Sequence, residues 1–405
     1  MQLSHKGISR LGRPPSRSGV LIASSPFGGG HARRSLAMGL ALSRLRPDLP
    51  IQYLSGGPDV EIYRRAGVSI HDLLLFETYP VADGRLNRQR LRSLFVRSEV
   101  QHAVKVAALI ARYRPEMVML DEMLLPLFAA KRLGCRVGFV THAPTFPRPT
   151  MAADPDLALA TVAVNRLRLR AILDADIAFY VGSREHLPES RLWPWVERHM
   201  QVVGLMSNVS RPSLSRAEAL QRLGFSPDKP LVVVTVGALA MGRYLLEAAL
   251  NAWPLADMPD AQLLVVCGAS IDPRDLPAPV SDRVRVMGLV DDLPAYLAAA
   301  DMAIVQAGLT TVGECLALGT PMVCVPIKWH REQENNARYA ERVGGARILD
   351  REQVTPARLA EEVTSILRQH QARRQQATGH EAPPSPIDGA TKAAMHIERF
   401  LARAG

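Results

Sequence analysis

Residues 302–314 read Met302-Ala303-Ile304-Val305-Gln306-Ala307-Gly308-Leu309-Thr310-Thr311-Val312-Gly313-Glu314. Four apolar residues run without interruption, a turn of small residues follows, and a helix-forming run begins. A strand covered on both faces shows such a continuous apolar run, where a half-exposed strand would alternate. The unit recurs. Val20–Ser24 leads into Pro26–Gly30 and a helix-patterned stretch from Arg33 to Leu45. Ile51–Leu54 ends at Ser55-Gly56-Gly57, Met117–Leu120 at Asp121-Glu122, Val137–Val140 at Thr141-His142, and Ile177–Tyr180 at Val181-Gly182-Ser183. After a polar, turn-rich stretch from Gly204 to Lys229 the series restarts. Leu231–Val236 ends at Gly237, Gln262–Cys267 at Gly268, Val284–Met287 at Gly288, and Met322–Val325 at Pro326. Strands alternating with helices predict an α/β chain of two doubly wound domains. Their boundary is expected near Met200–Arg216, with domains over residues 17–203 and 204–385. Arg368–Pro386 reads as a loop, and a last amphipathic helix, Ala390–Ala402, lies within residues 386–405.

The 405 residues suit two such domains. At 47% hydrophobic and 22% charged the chain resembles ordinary globular proteins, which excludes wholesale disorder. The four cysteines (Cys135, Cys267, Cys315, Cys324) form no CxxC pair, so a disulfide scaffold or structural zinc site is not expected and a reducing cytosol fits. There is no apolar run long enough for a membrane span, and Met1–Ser18 lacks the apolar core of a secretory signal. A cytoplasmic protein is expected. The formal charge of +10 is uneven: residues 1–200 carry +11 and residues 201–405 carry −1. One half is therefore expected to meet something acidic.

In open α/β sheets ligands bind beyond the carboxyl ends of the strands, so the residues just after each strand are the candidates. The first strand runs into Ser25-Pro26-Phe27-Gly28-Gly29-Gly30-His31. Gly28, Gly29 and Gly30 allow close approach of backbone to a ligand, and the helix start favours negative charge. This is not GxGxxG, and no acid ends the second strand, so a nicotinamide cofactor is not expected. His31 could take a proton from a hydroxyl, with Asp121 orienting it; His142 is a rival or helper on the same edge. In the second half, Gly308 to Thr311 form a cradle for a diphosphate at a helix start, and Glu314, on an exposed first turn, can hold ribose hydroxyls. Glu332 and Gln333 can bind sugar hydroxyls.

The segment from Gly288-Leu289-Val290-Asp291-Asp292 through Gly308-x-x-Thr311-x-x-Glu314 and Gly319-Thr320-Pro321 to Gln333-x-x-Asn336-Ala337 resembles the nucleotide-sugar signature of GT-B glycosyltransferases, families 28 and 1. Phe27-Gly28-Gly29-Gly30-His31 resembles the N-domain loop of family 28 and the diacylglycerol enzymes. The resemblance implies a GT-B fold of two Rossmann-like domains across a cleft, an N-terminal acceptor domain, a C-terminal donor domain and a last helix that crosses back. It implies that Val290 contacts the base through its backbone, that Gly308, Leu309, Thr310 and Thr311 hold the diphosphate, and that Glu314 holds the ribose. It places Glu332, Gln333 and Asn336 at the sugar, Arg211 near the phosphates, and Gly237 beneath the diphosphate. Val236-Gly237-Ala238-Leu239-Ala240 departs from the family's Gly-Gly-Ser-x-Gly loop.

The implied activity is inverting transfer of a hexose from a nucleotide-diphosphate sugar, UDP-linked by expectation, to the hydroxyl of a small natural product or a lipid. No Asp-x-Asp motif is read as a holder of Mg²⁺ or Mn²⁺, so metal independence is expected, with no cofactor beyond the sugar-nucleotide co-substrate. Arg85, Arg88, Arg90, Arg92 and Arg97 flank Leu86, Leu91, Leu94, Phe95 and Val96, as in a basic amphipathic helix. Such a helix can touch an anionic membrane face or an acceptor phosphate, or merely be solvated; no nucleic-acid partner is expected. A UDP-GlcNAc 2-epimerase-like isomerase and a non-catalytic nucleotide-sugar-binding protein are the alternatives. The single Glu of the Gly308–Glu314 turn favours a transferase over the epimerases' Glu-Glu turn.

Overall fold

The structure, a computed structural model, describes residues 19–26, 29–73, 81–82, 85–86, 88–146, 155–186, 190–206, 214–237, 240–258, 260–279, 281–328, 330–376 and 388–403. The first half contains strands β1 (Val20–Ser24), β2 (Ile51–Ser55), β3 (Ile70–Asp72), a small antiparallel pair β4 (Val81–Ala82) and β5 (Arg85–Leu86), then β6 (Met117–Asp121), β7 (Arg136–Thr141), β8 (Ile177–Val181) and β9 (Gln201–Gly204). Its helices are α1 (Gly29–Leu45), α2 (Asp59–Arg65), α3 (Arg88–Tyr113), α4 (Leu125–Arg132), α5 (Pro155–Asp174) and α6 (Trp193–His199). The second half contains β10 (Leu231–Thr235), β11 (Gln262–Val266), β12 (Val284–Met287), β13 (Met302–Val305), β14 (Met322–Cys324) and β15 (Ala346–Ile348). With them run α7 (Arg216–Arg222), α8 (Arg243–Ala252), α9 (Leu293–Ala299), α10 (Leu309–Leu318), α11 (Arg331–Arg342), α12 (Pro356–Gln376) and α13 (Gly389–Ala402).

Two all-parallel sheets result, ordered β3-β2-β1-β6-β7-β8-β9 and β12-β11-β10-β13-β14-β15. Helices cover both faces of each, which is why β1, β6, β10 and β13 are buried along their whole length. The molecule is two Rossmann-like α/β domains facing across a cleft, the GT-B arrangement. Strand order reverses between β1 and β6 in one sheet and between β10 and β13 in the other. These switch points open the crevices in which such sheets bind ligands.

Three elements differ from the sequence reading. Helix α1 starts at Gly29, so Gly29 and Gly30 form its first turn and lie outside any loop. Helix α12 runs through Arg368 to Gln376, where a loop was expected; the stretch is rich in Arg and Gln and has no Gly or Pro, which suits a helix. The turn-rich boundary stretch holds α7, started by a capping box between Ser215 and Glu218. Helix α13 packs on α1: Ala390, Ala393, Ala394, Ile397 and Leu401 are buried in the same cluster as Ala37, Met38 and Ala41.

Candidate functional site

The carboxyl edge of β1 and β6 carries the first constellation. Positions i, i+3 and i+4 of a helix share a face, and in α1 they place His31, Arg34 and Ser35 toward Asp121, the last residue of β6. His31 Nδ1 lies 2.9 Å from Asp121 Oδ1. Arg34 Nε donates to Asp121 Oδ2 at 2.6 Å and its Nη2 donates to Oδ1. Ser35 Oγ adds a third bond, 3.1 Å to Oδ2. Burial pushes the Asp121 carboxyl up, but the Arg34 guanidinium, with His31, outweighs this and holds it below the usual range. Asp121 is therefore a buried, ionised and fully engaged carboxylate that can orient His31 and has no free lone pair for a substrate proton.

Beside it, Glu122 stands in the left-handed region (φ 57°), a conformation uncommon outside glycine that turns its side chain back under the edge. Glu122 Oε2 meets Arg168 Nη1 at 2.6 Å, and Oε1 accepts from Thr141 Oγ1 at 2.6 Å. His142 Nδ1 lies 3.1 Å from Glu122 Oε1, and its Nε2 lies 3.1 Å from Oε2 of Glu332, at the start of α11 in the other domain. Burial alone would lower the His142 pKa, but Glu332 and Glu122 outweigh it and push it up to about 9. His142 is thus a cation at neutral pH, with both N–H groups given to carboxylates. Arg34 Nη1 also lies 3.2 Å from His142 Nδ1.

The facing edge belongs to β10 and β13. Gly237 follows β10 with φ 80°, and Ala307 follows β13 with φ 60°, the counterpart of Glu122 in the other sheet. Gly308 caps α10, whose first residues are Leu309, Thr310 and Thr311. The two edges come close together: a Cβ on Gly30 would lie 3.3 Å from Thr310 Oγ1, a tight contact across the cleft between α1 and α10. Leu309 is buried in the cluster that includes Leu36 and Met38 of the first domain.

Glu314 departs from expectation. It is 3% exposed, where an exposed first turn was expected, and its Oε2 has no hydrogen-bond partner among the described residues. Leu205, from the segment between the sheets, lies over the neighbouring Gly313, so close that a Cβ there would stand 2.3 Å from Leu205 Cδ1. Burial pushes the Glu314 carboxyl up to about 7, against the pull of Arg33. Gln333 and Asn336 hold backbone: Gln333 Oε1 accepts from Ile327 N–H at 2.8 Å, and Asn336 Nδ2 donates to Ala307 O at 3.1 Å. Val290 is buried beneath the turn after β12. From the first domain, Arg65 Nη1 donates to Leu289 O at 2.7 Å, beside Val290.

Gly28, Arg211, Ala238 and Leu239 lie outside the described residues. In the basic stretch, Arg85 and Leu86 form β5 and a helix begins at Arg88; the side chains of residues 85–96 are likewise outside the description, and Arg97 is exposed. Among the described residues no helix is long and apolar enough to cross a membrane, and no group of three or more His, Cys, Asp or Glu is arranged to hold a metal. The expectation of metal independence from a lack of Asp-x-Asp is corrected: the sequence contains two such pairs, Asp154-Pro155-Asp156 and Asp174-Ala175-Asp176. Of the second pair, Asp174 meets Arg170 at 2.7 Å and Asp176 accepts from Lys131 Nζ and Val137 N–H at the opposite edge of the sheet.

Two residues of this charged constellation were not among the candidates read from sequence. Arg34 had a legible signal, its position three residues after His31 on a helix. Arg168, on α5, is 2% exposed and bonds to Thr141 Oγ1 at 2.7 Å as well as to Glu122; nothing local marks it.

Residues 231–394 match the glycosyltransferase family 28 C-terminal domain. Over the longer chain, a UDP-N-acetylglucosamine–N-acetylmuramyl-(pentapeptide) pyrophosphoryl-undecaprenol N-acetylglucosamine transferase of an Exiguobacterium species is 24% identical, covering 84% of this chain and 89% of its own. Among solved structures, Arabidopsis thaliana UGT89C1 complexed with UDP superposes with a TM-score of 0.63 at 13% identity, covering 95% of this chain and all of that one. A putative UDP-N-acetylglucosamine 2-epimerase from Listeria monocytogenes superposes with a TM-score of 0.60 at 14% identity, covering 95% and 96%.

Proposed function

We propose that the chain, a GT-B glycosyltransferase by its fold and by the match of residues 231–394 to the family 28 C-terminal domain, moves a sugar from a UDP-sugar to an acceptor hydroxyl with inversion at the anomeric carbon. The observation that carries this reading is the juxtaposition of the His31–Asp121 pair with the Gly308–Thr311 helix start across the cleft. In this reading residues 17–203 bind the acceptor, residues 204–385 bind the donor, and residues 386–405 return to the first domain. The N-terminus of α10, with the Thr310 and Thr311 hydroxyls, takes the diphosphate, where aligned N–H groups stabilise the negative charge that grows as the sugar leaves. His31 takes the acceptor's proton and the acceptor oxygen displaces the diphosphate at the anomeric carbon. The acceptor is a small molecule or a lipid carrying a free hydroxyl.

The relative's sugar-nucleotide chemistry and the UDP in the plant structure support the choice of uridine. A ligand that binds only the native state raises apparent stability, so a panel of UDP-, dTDP- and GDP-sugars read by thermal shift tests it. UDP-sugars should raise the melting temperature most. A flat response to every nucleotide would sink the donor reading, and a UDP-sugar that is isomerised without being transferred would turn it to the epimerase class. His31→Ala should abolish transfer and leave the UDP shift in place.

A further inference from the structure

Helix α1 carries two consecutive arginines with different surroundings. Arg34 is spent on Asp121, whereas Arg33 lies within electrostatic reach of Glu314 in the other domain. We propose that Arg33 is a donor-binding residue supplied by the first domain: its guanidinium takes the diphosphate of the nucleotide sugar from across the cleft, opposite the start of α10. The inference rests on the donor reading of α10 and is independent of which group takes the acceptor's proton.

Two helices meet here along matched faces. Gly30 and Arg33, three residues apart, share one side of α1; Thr310 and Glu314, four apart, share one side of α10. Gly30 stands against Thr310, its Cβ position 3.3 Å from the hydroxyl oxygen. Arg33, a turn further along α1, acts on the Glu314 carboxyl and on that of Asp59 at the start of α2. It is half-buried and makes no hydrogen bond or ion pair among the described residues.

The Arg33 charge is permanent, and neither carboxyl cancels it. Burial pushes Asp59 well above the usual carboxylate range and Glu314 up to about 7. A cation beside the positive end of α10 is unfavourable by itself, because aligned N–H groups favour negative charge there. An anion held between the two removes that conflict. Glu314, 3% exposed and with Oε2 unpartnered among the described residues, suits a ligand that presents hydroxyls beside its anion. A nucleoside diphosphate has both, in its ribose and its diphosphate. The loop after β10 adds a reason for a cation on the facing side. Val236-Gly237-Ala238-Leu239-Ala240 departs from Gly-Gly-Ser-x-Gly at the serine, and none of its side chains has a hydroxyl or a charge. A guanidinium, whose planar fork engages two phosphate oxygens at once, can supply what that loop lacks.

Calorimetric titration of the full chain with UDP, inorganic pyrophosphate and uridine tests the assignment. Arg33→Gln should weaken UDP and pyrophosphate about 10- to 100-fold, the scale of hydrogen bonds to a charged group, and leave uridine nearly unchanged. Arg33→Lys keeps the charge without the fork, and its losses should fall between those of Arg33→Gln and wild type. Arg44→Gln, the same loss of charge at the far end of α1, should bind all three as wild type does. Unchanged UDP and pyrophosphate affinity in Arg33→Gln overturns the inference, as does a wild type that does not bind pyrophosphate. Should Arg33→Gln not fold, wild-type pyrophosphate affinity in Arg33→Lys overturns it. Equal weakening of uridine and UDP also overturns it, because Arg33 would then serve Glu314 and not the phosphates. Pyrophosphate binding that depends on Arg33, in a chain that transfers no sugar from any UDP-sugar, would overturn the transferase reading alone.

Discussion

At the scale of single residues, burial decides charge. Glu314 is a carboxyl pushed from 4.5 up to about 7 by its surroundings. Because its folded pKa lies above its unfolded one, its contribution to stability is full below about 4.5 and is lost as pH rises through about 7. Glu314→Gln keeps the shape and removes the ionisation. Without nucleotide it should melt higher than wild type near pH 8 and within about a degree of it near pH 5, read by thermal unfolding across that range. An equal shift at both pH values would refute a buried protonated carboxyl. The residue's identity was legible in the Gly308-x-x-Thr311-x-x-Glu314 spacing. Its burial was not, because its surroundings come from far along the chain: Arg33, which acts on its carboxyl, and Leu205, which covers the neighbouring Gly313, both lie more than a hundred positions earlier.

At the scale of elements, continuous apolar runs made the central strands readable. Val20–Ser24, Val284–Met287 and Met302–Val305 have the bounds their sequence implies. The edge strands β3 and β15 are only intermediate in burial and three residues long, so they leave no such run. Helix α13 follows α12 in sequence but completes the core of the other domain, against α1 and beside β9. Ile397 is fully buried there. Ile397→Ala should cost about 2–5 kcal/mol in denaturant unfolding, the usual range for a large aliphatic cut from a core. The loss should show in the transition of the first domain, followed by Trp193 and Trp195 near its core. A loss confined to the second domain's transition would contradict the packing.

At the scale of the whole molecule, the halves are joined by charge as well as by chain. His142 of the first domain lies 3.1 Å from Glu332 of the second. The His142 pKa is raised from 6.5 to about 9, so the stability it brings is full below 6.5 and lost as pH rises through about 9. His142→Gln should flatten the fall in melting temperature between about pH 7 and 10; a variant that falls as steeply as wild type would show that the pair holds nothing together. The surplus of +11 in the first half is a fact of composition, yet where its carboxyl edge meets the second half the charges balance: Arg34, Arg168 and His142 stand against Asp121, Glu122 and Glu332. By itself the sequence determined two parallel α/β sheets and which residues follow each strand, since strand burial and turn chemistry are written locally. Only the tertiary structure decided which of those residues meet and in what state of charge. Arg34 engages Asp121, Arg168 engages Glu122, and His142 is protonated, because electric fields and desolvation depend on neighbours that the chain brings together from far apart.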